Sequence, residues 1–120
     1  MGYLFISRFF CIFVARDNKT LIDMEYKILQ LKDTEEAHKY MFLRYREDRL
    51  ASKDLYEVVY SGKVKNDGTI MSILEQLFQK FNVNHPADFK GHSMSVSDVV
   101  ELAGDYYYCN SFGFVELKNW

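Results

Sequence analysis

Phe89-Lys90-Gly91-His92-Ser93-Met94-Ser95-Val96-Ser97-Asp98-Val99-Val100-Glu101-Leu102, then Ala103-Gly104-Asp105, then Tyr106-Tyr107-Tyr108-Cys109-Asn110-Ser111-Phe112-Gly113-Phe114 is the stretch on which the fold turns. Shape-setting residues separate its short apolar runs: Gly91, the Ser95–Asp98 turn, a Gly104-Asp105 hairpin and a Phe112-Gly113-Phe114 corner. Ser95 to Asp98 has the S-x-x-D form of a helix start. Only Val99–Leu102 follow before Ala103-Gly104, too few residues for a helix. The stretch therefore predicts one capped turn feeding a β-meander, with strands at 98–102, 106–109 and 114–117.

Working outward, the strongest periodic signal is Ile70–Phe81. Ile70, Ile73, Leu74, Leu77, Phe78 and Phe81 fall on one helical face, while Ser72, Glu75, Gln76 and Gln79 fall opposite. This spacing predicts an amphipathic helix over 70–81 with Thr69 as its cap. His85-Pro86 bars its continuation, because the residue before proline avoids the helical region. Further upstream, Tyr26–Leu31 alternates as a strand, and Leu55–Tyr60 is rich in β-branched and aromatic residues. A strand at 55–61 is predicted, ending before Gly62, and Asn66-Asp67-Gly68 is a turn. Between the two strands Asp33 supplies a cap with Glu36 three residues on, and Glu35 precedes Lys39 by one turn, predicting a short helix near 34–40. Tyr40–Tyr45 returns apolar side chains to the core, and Arg44–Asp54 is a charged segment with room for one turn of helix. The predicted fold class is α+β, a small antiparallel sheet with a C-terminal meander packed on one main helix.

A chain of 120 residues suits one domain with a modest core. The 48% hydrophobic and 17% aromatic content excludes a disordered chain. A net charge of −2 supplies neither a basic field for nucleic acid nor enough acidity for DNA mimicry. Cys11 and Cys109 lie far apart with no CxxC spacing, which fits reduced thiols and a cytoplasmic location. Tyr3–Ala15 is strongly apolar, but Arg8 interrupts it and it falls short of the roughly 20 residues of a membrane helix. It also lacks a clean signal-peptide pattern. Three readings stay open for it: a leader, with residues 1–23 forming an extension and polar linker before a domain at 24–120; a strand or helix docked on that domain; or a membrane or export anchor.

Gly91–Val100 followed by Tyr107–Phe114 resembles the signature of the YodL-like domain, a small domain found in proteins of Gram-positive mobile elements, phages and large polyvalent proteins. Ile28–Glu36 and Phe81–Lys90 are similar to the same family, so the resemblance runs from about Met24 to the end of the chain. In polyvalent proteins the family keeps company with antirestriction and DNA-transfer domains. The resemblance therefore implies an accessory protein of a bacterial mobile element that binds a host protein, with counter-defence such as restriction or CRISPR inhibition as its purpose. It carries no established catalytic role. Where the family usually has Val-Asp before Ser-Phe-Gly, this chain has Cys109-Asn110, so no acidic role at that corner transfers.

Residue chemistry offers several sites. His85, His92, Ser93, Ser95, Asp98 and Cys109 include the types that nucleophilic catalysis needs, without a diagnostic spacing or a nucleophile elbow. No catalytic residue is assigned, and a non-enzymatic protein is expected. His85, His92 and Asp98 lack the paired short spacing of a structural zinc site, and neither metal, cofactor nor small-molecule substrate is expected. Gly91, His92, Ser95, Ser97, Asp98, Phe112, Gly113 and Phe114 are read as a structural motif. In it the serines and Asp98 bond local backbone, and His92 donates across the Gly91 turn. Alternation sends Tyr106 and Tyr108 to one side of a strand and Tyr107 to the other, leaving little stacking platform for a nucleic acid. Nine tyrosines and ten phenylalanines exceed what a modest core hides, so a protein partner is favoured. Arg44, Tyr45, Arg46, Arg49, Tyr107 and Trp120 are its candidate contacts, with a nucleic-acid-binding module as the alternative function.

Overall fold

The computed structural model describes residues 23–120. The apolar stretch at 3–15, the proposed 1–23 extension up to residue 22 and Cys11 lie outside the described residues. Among the described residues five strands form one open sheet: β1 (Asp23–Leu31), β2 (Tyr56–Lys65), β3 (Val99–Leu102), β4 (Asp105–Cys109) and β5 (Phe114–Leu117). Their order is β2-β1-β3-β4-β5, and every pairing is antiparallel. One main helix, α2 (Ile70–Val83), and a short one, α1 (Glu35–His38), complete the regular elements, with 3-10 turns at Glu47–Arg49 and Lys53–Leu55. The α+β class, the meander and the main helix are as the sequence predicts.

Alternation along the strands produces two cores. Tyr26, Ile28, Val100, Leu102, Tyr107, Cys109 and Phe114 face α2, which buries Ile73, Leu74, Leu77 and Phe81 against them. Thr69 caps that helix by accepting from the Ser72 N–H at 3.1 Å, and each fully buried Leu or Ile contributes about 1.5–3 kcal/mol. On the reverse face Leu29, Leu31, Tyr56, Val99, Tyr108 and Leu117 meet Ala37, Ala51 and the half-buried Tyr40, Met41, Tyr45, Leu50 and Trp120. That second layer is mostly irregular chain.

β1 begins at Asp23, three residues before the predicted strand, and α1 is shorter than the predicted 34–40. Three further differences have physical reasons. Gly62 does not end β2, which runs on to Lys65. It sits opposite Tyr26 in the ladder, and a Cβ there would meet the Tyr26 Oη at 2.9 Å, so glycine makes room for a cross-strand ring. Thr34, rather than Asp33, caps α1, accepting from the Ala37 N–H, while Asp33 reaches His38 Nε2 at 2.7 Å. The third is α2, which continues to Val83 and stops only at Asn84, the residue before His85-Pro86. The Ala103-Gly104 turn joins paired Leu102 and Asp105 with φ of 53° and 91°, the all-left-handed geometry of a two-residue hairpin.

Candidate functional site

The motif that decides the fold converges on a buried carboxylate. Asp98 is 2% exposed, at the start of β3, and its Oδ2 accepts from the Ser95 N–H and from Gln30 Nε2, both at 3.0 Å. Gln30, also 2% exposed, comes from the end of β1 and clamps the backbone of His92 twice: Nε2 donates to the His92 carbonyl at 2.8 Å and Oε1 accepts from its N–H at 3.1 Å. Gly91 is required here because any Cβ would collide with the Gln30 Oε1. Burial pushes the Asp98 carboxyl up to about 7, opposed by the Ser95 and Gln30 hydrogen bonds and by His92.

This network corrects three expected roles. His92 does not bridge the Gly91 turn through its ring. Its Nδ1 lies 2.7 Å from the Ser93 carbonyl, which only accepts, so Nδ1 carries the proton, and the Gln30 amide holds the turn instead. Ser97 does not bond locally. At φ 88° its Oγ accepts from the Phe42 N–H at 3.0 Å, its carbonyl accepts from the Tyr56 hydroxyl at 2.6 Å, and its N–H donates to the Cys109 carbonyl at 3.0 Å. Three partners from separate parts of the chain hold it in a region that a non-glycine residue enters only at a cost. Ser95 does not bond local backbone through its side chain either: its N–H donates to Asp98 Oδ2, while its Oγ is buried with no partner, and only Asp98 plays the expected local part.

Of the catalytic grouping, Ser95, Asp98 and His92 meet around Gln30, but no activated nucleophile stands with them. Cys109 is 1% exposed, and burial, then the charges of Asp98 and Glu75, push its thiol up to about 12, the opposite of an activated nucleophile. His85 turns its Nδ1 to the Pro86 carbonyl at 3.0 Å and leans on Phe89. No group of three histidine, cysteine or acidic side chains able to hold a metal occurs among the described residues. A cavity of about 660 Å³ lies at the opposite end of the sheet, lined by Asp23–Lys27, Asn66, Glu101 and the Ala103-Gly104 turn, away from Asp98.

The proposed partner contacts divide. Arg44, Arg46 and Arg49 are exposed, with Arg46 held by Asp48 through two hydrogen bonds, at 3.1 and 2.8 Å. Tyr45 is half-buried, edge-on to Tyr108 at 5.7 Å, and its N–H donates to the Asn110 Oδ1 at 3.1 Å. Tyr108 in turn donates to the Leu43 carbonyl at 2.7 Å. Tyr107 is 6% exposed and lies in the helix-side core, so it offers no surface to a partner. Trp120 packs edge-on against Tyr56 and Tyr106, both at 5.2 Å, and donates from Nε1 to the Ala51 carbonyl, so it fastens the reverse-face layer and is no exposed anchor.

Phe112 is no part of the packed motif. It is 96% exposed at the tip of the β4–β5 turn, which closes through the Asn110 N–H to the Gly113 carbonyl at 2.9 Å, whereas Phe114 is core and Gly113 takes φ 75°. Phe42, at φ 63°, is 65% exposed beside the arginines. Sequence reasoning missed both as surface residues. Phe112 stood between Ser111 and Gly113, where a turn tip has no core to enter, and that position was its one signal. Gln30 was also missed, although it occupies the face-alternating position after Tyr26 and Ile28, where a polar residue needs a buried partner.

The architecture defines a small antiparallel open-sheet α+β domain with one packed helix. Among the described residues no helix is long and apolar enough to cross a membrane. The YodL-like domain family model matches residues 25–120, and the chain belongs to that family. No curated protein and no solved structure matches it.

Proposed function

We propose that this YodL-like chain is a non-enzymatic interaction protein of a bacterial mobile element, acting in the cytoplasm of the host by binding a host protein, with counter-defence against restriction or CRISPR systems as its purpose. The observation that carries the reading is the pair of exposed phenylalanines, Phe42 and Phe112, on two loops pinned to each other and to the sheet through Tyr45–Asn110 and Phe42–Ser97. A large apolar side chain held out in water on a fixed backbone costs solvation and little ordering entropy on binding, which is the economy of an interface anchor. Arg44, Arg46 and Arg49 beside Phe42 supply the charged part of such a surface.

The test uses a partner captured from host lysate and then purified. Replacing Arg44, Arg46 and Arg49 with alanine, and separately Phe112→Ser, should each weaken that complex at least about tenfold, roughly 1.4 kcal/mol, while leaving the unfolding midpoint in place. Unchanged affinity in both variants moves the interface elsewhere. Binding of random-sequence DNA below micromolar at physiological salt, with a steep salt slope, replaces this reading with a nucleic-acid module.

A further inference from the structure

The sheet has two outer edges, and they are treated differently. On β2 the edge carries Lys63 and Lys65, a bulge opposite Ile28 and Leu29, and a covering hydrogen bond from the Lys90 N–H to the Val59 carbonyl. These are the devices that discourage strand addition. Among the described residues the β5 edge has none of them. Phe114-Val115-Glu116-Leu117 pairs with β4 without a register break, contains neither lysine nor proline, and has β4 as its only neighbour among the described strands.

A groove runs beside this edge, between β5 and α2. Phe78 of the helix meets Phe114 of the strand edge-on at 6.5 Å; a small cavity of about 60 Å³ lies between Glu75, Phe78, Phe114 and the β4–β5 turn, and the groove continues along the flank of α2 as a cavity of about 290 Å³ lined by the helix alone. The groove's polar lining is Glu75, Gln79 and Asn82 from the helix with Asn110 and Ser111 from the turn, and among the described residues its one charged group is a carboxylate. Asn82, in the wall of the larger cavity, has a buried Oδ1 with no hydrogen-bond partner. Glu75 is exposed, forms no ion pair among the described residues and brings its carboxylate to the β4–β5 turn, 3.9 Å from where a Gly113 Cβ would stand. Glu116, exposed and opposite Tyr107 in the ladder, points to the same side of the sheet.

We infer that the groove between β5 and α2 receives an extended, arginine- or lysine-bearing segment of a partner protein, laid along β5 as a sixth strand. Main-chain pairing with the open edge supplies the geometry, and alternate side chains of an added strand turn toward the groove. An apolar one packs on Phe78 and Phe114. A cationic one meets Glu75 and Glu116. The inference rests on the protein-binding reading above and gives the partner's contacting segment a chemistry.

The test uses the full chain, labelled with nitrogen-15, and a capped peptide of Val-Thr-Arg-Thr repeats as probe, which sets valine and arginine on one face, with Val-Thr-Glu-Thr repeats as its counterpart. Expected are resonance shifts at Val115, Glu116 and the Asn82 side-chain amide with the arginine peptide and not with the glutamate one. Glu75→Gln combined with Glu116→Gln should weaken binding at least tenfold without moving the unfolding midpoint. N-methylation of alternate peptide nitrogens should abolish it. Equal binding of the two peptides, survival of binding after N-methylation, shifts confined to β2 or to Arg44–Arg49, or no shift at about 1 mM overturns the inference. The Arg44, Arg46 and Arg49 alanine variant should bind the peptide as the parent does. If it loses the host partner while the parent ignores the peptide, the groove inference fails and the loop surface stands.

Discussion

One face of the sheet is covered by a helix and the other by loops, and the two coverings are held by different forces. On the helix face α2 lays a single apolar stripe over Tyr26, Ile28, Val100 and Leu102, and side-chain hydrogen bonds gather at one end of it, where Gln30 holds Asp98 and His92. On the loop face the segment from Tyr40 to Leu55 has few regular turns. Polar atoms reaching out from the sheet fasten it instead: the Tyr108 hydroxyl to Leu43, Ser97 Oγ to Phe42, Asn110 Oδ1 to Tyr45 and the Trp120 indole to Ala51. Burial of a stripe tolerates any residue of the right size, whereas a net of single hydrogen bonds fixes one path for the chain. The loop face can therefore hold exposed side chains in set positions, and that is where Phe42 and the arginines stand.

The sharpest way to break this contrast is Phe81→Ala. Phe81 is fully buried and touches Tyr26, Tyr60 and Phe89, so its loss should cost about 3–5 kcal/mol in urea unfolding and lower protection across the whole sheet. Trp120→Ala, which removes two aromatic pairs and the bond to Ala51, should cost about 2 kcal/mol. Its mark is regional: hydrogen exchange at Tyr45 and Phe42 should accelerate well before the β3 amides respond. Simultaneous acceleration everywhere would mean the two faces form one cooperative unit.

Asp98 sits between the two coverings and gives them a common pH dependence. Its carboxyl is raised from 3.8 to about 7, so between those values the folded chain keeps a proton that the unfolded chain has released. Stability from this group is thus full below about pH 4 and declines as the pH rises through 7, with a slope of at most about 1.4 kcal/mol per pH unit. Asp98→Asn, which cannot ionise, should flatten that limb in denaturation series from about pH 4 to about pH 8. Identical slopes in parent and variant would show that the carboxyl is already ionised at acidic pH. The smallest effect is a gain. Ala103→Asn, placing a residue suited to left-handed backbone at φ 53°, should raise stability by about 0.5–1 kcal/mol while keeping the N–H that donates to Glu25.

The helix face was legible because its forces are periodic. Ile70 to Phe81 announced α2, and the strands were found within a few residues of their ends, since each rests on spacing along the chain. The loop face was not legible. Nothing in the order of residues says that Ser97 will meet Phe42 or that Asn110 will meet Tyr45, because those bonds join positions 55 and 65 residues apart. The exposed arginines could be read from charge, but Tyr107 was misplaced, and Trp120 stood open between a packed and an exposed reading, for want of knowing which face had a cover. Gly62 misled for a related reason: a glycine that makes room for a ring across the ladder looks, in one dimension, like a glycine that ends a strand.

The sealed thiol of Cys109 gives the molecule an internal clock. Its sulfur lies in the helix-side core with the proton held on to about pH 12, so a thiol reagent can modify it only while α2 is lifted from the sheet. In a Cys11→Ser background the labelling rate, measured as denaturant is added in small steps, reads the frequency with which that face opens. A rate that falls when a ligand is present locates the ligand on the helix side of the sheet, and a rate that ignores it locates the ligand on the loops.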